Sequence, residues 1–219
     1  MKTKFFNWLI LIPVVMLFTG CGEQQLPAEE SCNFVVNSAS RRVSWVRMPV
    51  KFYVDDSLTV EQMEAIEDAM DIWNEKFDST VLQVIGITKQ LPQPMLSPDG
   101  KMVSDGYNGI YIVDESIFTN TVEKDEQART NLSFRGDFIF EADILIDGSE
   151  NFYIGDKEKS SSEGLLEFKS LMVHELGHVL GLEHIEGPGN PVMQPRLRYG
   201  EVRHDLSEAD FESLACEYQ

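Results

Sequence analysis

The chain has 219 residues, with 18 Lys and Arg against 37 Asp and Glu and a formal net charge of −19. That length holds one ordinary domain plus a leader or tail, and is long enough for a core that needs no disulfide scaffolding. So acidic a surface repels a phosphate backbone, and no basic stripe offsets it, so nucleic acid is excluded as a partner.

Lys2 and Lys4 precede an apolar run from Phe5 to Phe18, followed by TGC. The run is shorter than the ~20 residues of a spanning helix, so residues 1–20 read as a secretory signal and the protein is expected to be exported. LFTGC resembles the bacterial lipobox, which implies acylation of Cys21 and a lipid-membrane anchor; plain signal cleavage is the alternative. Gly22 stands where an inner-membrane retention signal would have Asp, so the resemblance implies the outer membrane or cell surface of a bacterial envelope. With Cys21 acylated, Cys32 and Cys216 remain as a pair: a bridge joining the two ends of the domain, or two buried thiols.

Residues 21–42 are polar and read as a tether, with the domain at 43–219. VSWVRMPVKFYVD (43–55) is strand-like, with Pro49 marking an edge or irregularity. A helix is predicted over 60–76, capped by Thr59 with Gln62, its apolar face formed by Val60, Met63, Ile66, Ala69, Met70 and Trp73. Strands follow at 81–87 and 108–114, separated by the loop KQLPQPMLSPDGKMVSDGY, where Asp99 and Asp105 are candidate calcium ligands beside the plainer reading of a surface loop. Residues 115–137 read as another excursion or a short element, and FIFEADILIDG (138–148) as an uninterrupted strand. A helix over 165–180 carries His174 and His178, with His184 just beyond its end, and Ser207 with Asp210 opens a last helix. The order of elements predicts a single mixed α/β or α+β domain without internal repeats.

His174 and His178 are four apart, so a helix stacks both imidazoles on one face, with Glu175 on the same turn. Gly181 permits a left-handed backbone that ends the helix and lets the chain double back to deliver His184 as a third ligand. Three nitrogens leave a fourth tetrahedral position for water, as a catalytic zinc requires.

HELGHVLGLEH, followed by the PVMQP turn, resembles the metzincin metalloproteases and, within them, the matrixins. AIEDAMDIW, ADILI and LSEAD are weaker supporting likenesses. The resemblance implies a metzincin-like α+β sandwich: a twisted, mostly parallel sheet with an antiparallel edge strand, an active-site helix and a C-terminal helix. It implies one catalytic Zn2+ on His174, His178 and His184, with Glu175 as the base and Met193 as the floor of the site. An extended peptide or protein substrate is expected beside an edge strand of Ala142, Asp143, Ile144, Leu145 and Ile146. Pro195, Arg196 and Leu197 would line a side-chain pocket, Arg196 and Arg198 themselves reading as surface residues.

Cys32 in ESCNFV lacks the flanking residues of the family's cysteine switch, so that form of latency is not expected, and only His204 is left over for a second, histidine-rich zinc site. Asp114, Asp143 and Asp147 are further candidate calcium ligands, or else ordinary strand-end carboxylates. Ala209 and Asp210 stand where the family pairs two aspartates, so Asp210 either supports the methionine turn or caps its own helix. A monomeric zinc endopeptidase is the expected function. The alternative is a catalytically idle, surface-anchored binding or adhesion lipoprotein, which the intact Glu175 and ligand set disfavour.

Overall fold

The computed structural model describes residues 32–88, 103–116, 126–155, 157, 159 and 161–218. Ser31–Gln219 forms one compact unit. Its strands are β1 (Ser44–Trp45), β2 (Val50–Asp55), β3 (Leu82–Thr88), β4 (Asn108–Val113), β5 (Ala128–Arg135), β6 (Phe138–Asp147), β7 (Phe152–Tyr153) and β8 (Leu166–Glu167). The helices are α1 (Val60–Asn74), α2 (Phe168–Val179) and α3 (Glu208–Tyr218). Among the described residues no helix is long and apolar enough to cross a membrane, and the apolar leader and Cys21 lie outside them.

Six strands make one sheet, in the order β3, β2, β4, β6, β5, with β1 joining the start of β6 on the same side as β4. All pairings are parallel except β5 with β6. A parallel sheet must bury both faces, and its central strands show it: Ala142, Ile144 and Ile146 are 0% exposed and Leu145 only 1%. A minor sheet pairs β7 with β8 just before α2.

That burial corrects one expectation. Ala142 to Ile146 are not an edge: β5 pairs with them along one side, and on the other β4 pairs with Ile144 to Asp147 while the Asn108 side chain caps the Ala142 N–H. The continuous apolar run is the mark of a strand covered on both faces. The edge strand is β5, within the segment read as an excursion, and among the described residues no strand pairs with its outer side.

α1 begins as predicted, with the Thr59 side chain accepting from the Gln62 N–H and the Gln62 side chain accepting from the Thr59 N–H. Ala65, Ile66, Ala69, Met70 and Trp73 are buried, whereas Val60 is 61% exposed. Six residues before Ile66, Val60 points roughly 240° around the helix from it. At the other end of α1 the Trp73 indole N–H donates to the Val173 carbonyl of α2 at 2.9 Å, fixing the two helices together.

The domain also starts earlier than Val43. Cys32 is bonded to Cys216 of α3, so the pair is a disulfide. Phe34 is 2% exposed and bridges Leu182, and Val36 bridges Arg42. Residues 32–42, expected as tether, are therefore part of the packed domain.

Candidate metal centre and active site

Three local features deliver the histidines. Glu167, 0% exposed, caps α2: its carboxylate accepts from the Ser170 N–H at 2.6 Å and the Ser170 hydroxyl at 2.7 Å. From that start, His174 and His178 fall on one face. At the far end the Leu182 N–H donates to the Gly177 carbonyl and the Gly181 N–H to the His178 carbonyl, the two reversed bonds of a Schellman ending. Gly181 has φ +95°, and a Cβ there would lie 2.8 Å from the Val43 carbonyl oxygen, so both the turn and the packing require glycine. The chain then doubles back to His184.

The Nε2 atoms of His174 and His178 are 3.1 Å apart, and those of His178 and His184 3.2 Å. His174 Nδ1 lies 2.8 Å from the Val192 carbonyl and His178 Nδ1 2.7 Å from the Leu182 carbonyl. A carbonyl only accepts, so both Nδ1 atoms carry the proton and both Nε2 lone pairs face inward. Burial holds both imidazoles below their ordinary pKa, which keeps them neutral. Lone pairs converging at such distances repel unless a cation sits among them, and three imidazole nitrogens suit zinc. Among the described residues these histidines are the one group of three or more His, Cys, Asp or Glu side chains that could hold a metal ion.

Glu175 is 3% exposed, and burial raises its pKa to about 7 against the lowering effects of a Thr130 hydrogen bond and the Arg129 charge. The Thr130 hydroxyl lies 2.7 Å from Glu175 Oε2 and 3.1 Å from the Glu175 carbonyl oxygen. A dication on the adjacent imidazoles would favour the ionised carboxylate.

Met193 is 0% exposed beneath α2, and a Cβ added to Gly177 would come within 2.2 Å of its Sδ. Asp210 holds this turn, accepting from the Val192 N–H at 3.0 Å and the Met193 N–H at 3.2 Å. It also accepts from the Ser207 N–H and hydroxyl, so it supports the turn and caps α3 at once.

The segment Pro195–Leu197 is tied from behind by Arg203, itself only 4% exposed. Its guanidinium donates to the Gln194 side chain and to the carbonyls of Gln194 and Arg196, and its N–H donates to the Ser170 hydroxyl at 2.7 Å. The Gln127 side chain donates to the Leu197 carbonyl. Leu197 is buried, while Pro195 and Arg196 are exposed. Thr130, Gln127 and Arg203 escaped the sequence reading. Thr130 had a signal in the alternation of ARTNLS ahead of a glycine turn, whereas the burial of Arg203 is tertiary and left none.

Of the candidate calcium ligands, Asp99 lies outside the described residues. Asp143 accepts from the Gly109 N–H, Asp105 from the Tyr107 N–H, Asp114 from the Ser116 N–H and Asp147 from Ser149.

A helix and loop presenting three imidazoles over a methionine turn, beneath a mostly parallel sheet with one antiparallel edge, define a metzincin-like domain. Residues 121–219, which span β5, the histidines, the methionine turn and α3, match the Matrixin family of peptidases. This part of the chain is similar to the matrixins, and its three histidines are positioned to bind a metal ion. A stretch of 67 residues, 31% of the chain, is 37% identical to Metalloendoproteinase 1-MMP of Arabidopsis thaliana and spans 18% of that protein's length. A solved structure, High choriolytic enzyme 1, a hatching enzyme zinc-protease from the medaka fish Oryzias latipes, is similar at a TM-score of 0.37 and 12% identity over 85% of this chain and 94% of that one.

Proposed function

We propose that this chain is a zinc-dependent endopeptidase, with His174, His178 and His184 as the metal ligands and Glu175 as the general base. The observation that carries the reading is the convergence of three imidazoles whose Nδ1 atoms are held by backbone carbonyls, with a buried carboxylate on the same helical turn. A bound zinc ion supplies a Lewis acid for the scissile carbonyl and lowers the pKa of water. Glu175 takes the proton from the attacking water and returns it to the departing amine, so no serine or cysteine nucleophile is required. Glu175 is 3% exposed, so its carboxylate is screened little by bulk water and its position is fixed beside the ligands.

Among the described residues no strand pairs with the outer side of β5, and an extended peptide can add there as a strand. The segment Pro195–Leu197, braced by Arg203 and Gln127, forms one wall of the side-chain pocket. Export, and acylation of Cys21 to hold a monomer on a bacterial membrane facing its substrates, belong to the same proposal and rest on the leader sequence.

Cleavage of a quenched peptide library by the full chain, beside Glu175→Ala, tests the activity. Chelator-sensitive cleavage that the substitution abolishes supports the proposal. Zinc binding without cleavage by either protein overturns it in favour of a binding role.

A further inference from the structure

Thr130 stands on the edge strand and reaches the catalytic helix. In the antiparallel register it lies opposite Ile144, which is 0% exposed, so its side chain points to the inner face of the sheet, where α2 packs. There its hydroxyl is within hydrogen-bond distance of two oxygens of one residue, Glu175 Oε2 at 2.7 Å and the Glu175 carbonyl at 3.1 Å.

We infer that Thr130 is a positioning residue for Glu175, holding its carboxylate in one orientation through a hydroxyl that reaches both the side chain and the backbone of that residue. The inference rests on the reading of Glu175 as the base. A hydroxyl has one proton to give and lone pairs to receive another. With Glu175 ionised, the hydroxyl donates to Oε2, the stronger of its two possible bonds because the acceptor is charged. The second contact, to the Glu175 carbonyl at 3.1 Å, sets the same hydroxyl against the helix backbone. Among the described residues no hydrogen bond engages Oε1, which leaves that oxygen to work on the proton in flight.

The branched Cβ of threonine adds stiffness, since it restricts χ1 on a strand. Valine keeps that shape and loses the hydroxyl, whereas serine keeps the hydroxyl and loses the branch. The two variants therefore separate hydrogen bonding from packing. Because Thr130 belongs to β5, a peptide pairing on that strand also stiffens the residue that holds the base.

The test compares Thr130→Val, Thr130→Ser and Glu175→Ala as full chains purified in detergent and loaded with zinc. It reads kcat, KM, zinc per chain and the Glu175 rotamer in crystals. Thr130→Val is expected to lower kcat by roughly 10- to 100-fold with KM within about two-fold, the scale on which a misplaced base costs rate. It should retain one zinc per chain, and Glu175 should swing from its wild-type rotamer. Thr130→Ser should recover most of kcat. If Thr130→Val does not fold, Thr130→Ala is read in its place. A kcat within about two-fold of wild type for the hydroxyl-free variant, an effect confined to KM, or equal losses in the serine and valine variants would overturn the inference. Wild-type protein that binds zinc yet cleaves no better than Glu175→Ala defeats the protease reading instead, and the Glu175 rotamer in the valine variant still decides whether Thr130 positions that side chain.

Discussion

The Leu182 carbonyl accepts from Nδ1 of His178 at 2.7 Å, so the loop that follows the helix orients a ligand on the helix. That loop is gripped in turn by the N-terminal segment: Phe34 bridges Leu182, the Val35 N–H donates to the Gly181 carbonyl and the Glu183 N–H to the Asn33 carbonyl. Cys32 anchors the segment to α3 across a separation of 184 residues. The disulfide thus braces the metal ligands from outside the site. Cys32→Ser with Cys216→Ser is expected to cost about 2–5 kcal/mol of stability, as for other native bridges, and to weaken zinc binding. Denaturant melts and competition with a chromophoric chelator measure the two effects, and zinc affinity unchanged in the bridge-free protein would disconnect segment from site.

Asp210 is 0% exposed and accepts from Val192, Met193 and Ser207. Asp210→Ala leaves the buried N–H groups of Val192 and Met193 and the half-buried N–H of Ser207 without their acceptor. The expected loss is about 2–4 kcal/mol in urea unfolding. A loss no larger than that of an ordinary helix cap, about 1 kcal/mol, would mean that the turn holds itself.

Gly177 packs against Met193 and Trp73, and a Cβ would stand 2.2 Å from Met193 Sδ and 3.0 Å from Trp73 Cζ2. Gly177→Ala should destabilise by about 1–3 kcal/mol through overpacking. Combining it with Met193→Ala should recover part of that loss, because the sulfur is the closest obstacle. A double-mutant cycle with no coupling would place the strain elsewhere.

Asp143 lies away from the histidines, 6% exposed, and burial raises its pKa to about 7 from 3.8. A carboxyl with a raised folded-state pKa holds its proton better when folded, so its stabilising effect is full below pH 3.8 and is lost as pH rises through 7. Asp143→Asn keeps an acceptor for the Gly109 N–H and removes the titration. Between pH 4 and 7 the variant should gain on wild type by up to about 1.4 kcal/mol per pH unit. Parallel stability curves for the two proteins across that range would show that Asp143 ionises inside the fold at no cost.

Much of the site was legible because helix geometry turns spacing into position. A separation of four stacks His174 on His178, and the glycine three places on can end the helix in only a few ways. The capping residues of α1 were readable for the same local reason. The edge strand was only weakly legible, through the alternation of ARTNLS, since ARTNLSFR has few β-branched residues and draws its strand conformation from pairing with β6. ADILI is so apolar that it reads as a strand at once, but its unbroken apolarity belongs to the sheet interior rather than the edge. The second role of Asp210 and the bracing by Arg203 depend on contacts across 17 or 18 and 7 or 9 residues, which no local pattern encodes.

X-ray absorption at the zinc edge, on the full chain with its metal content quantified, tests the central claim most directly. The account predicts one zinc per chain with three nitrogen ligands and one oxygen, all at about 2.0–2.1 Å. Sulfur in the first shell, four nitrogens, or no zinc retained would contradict it.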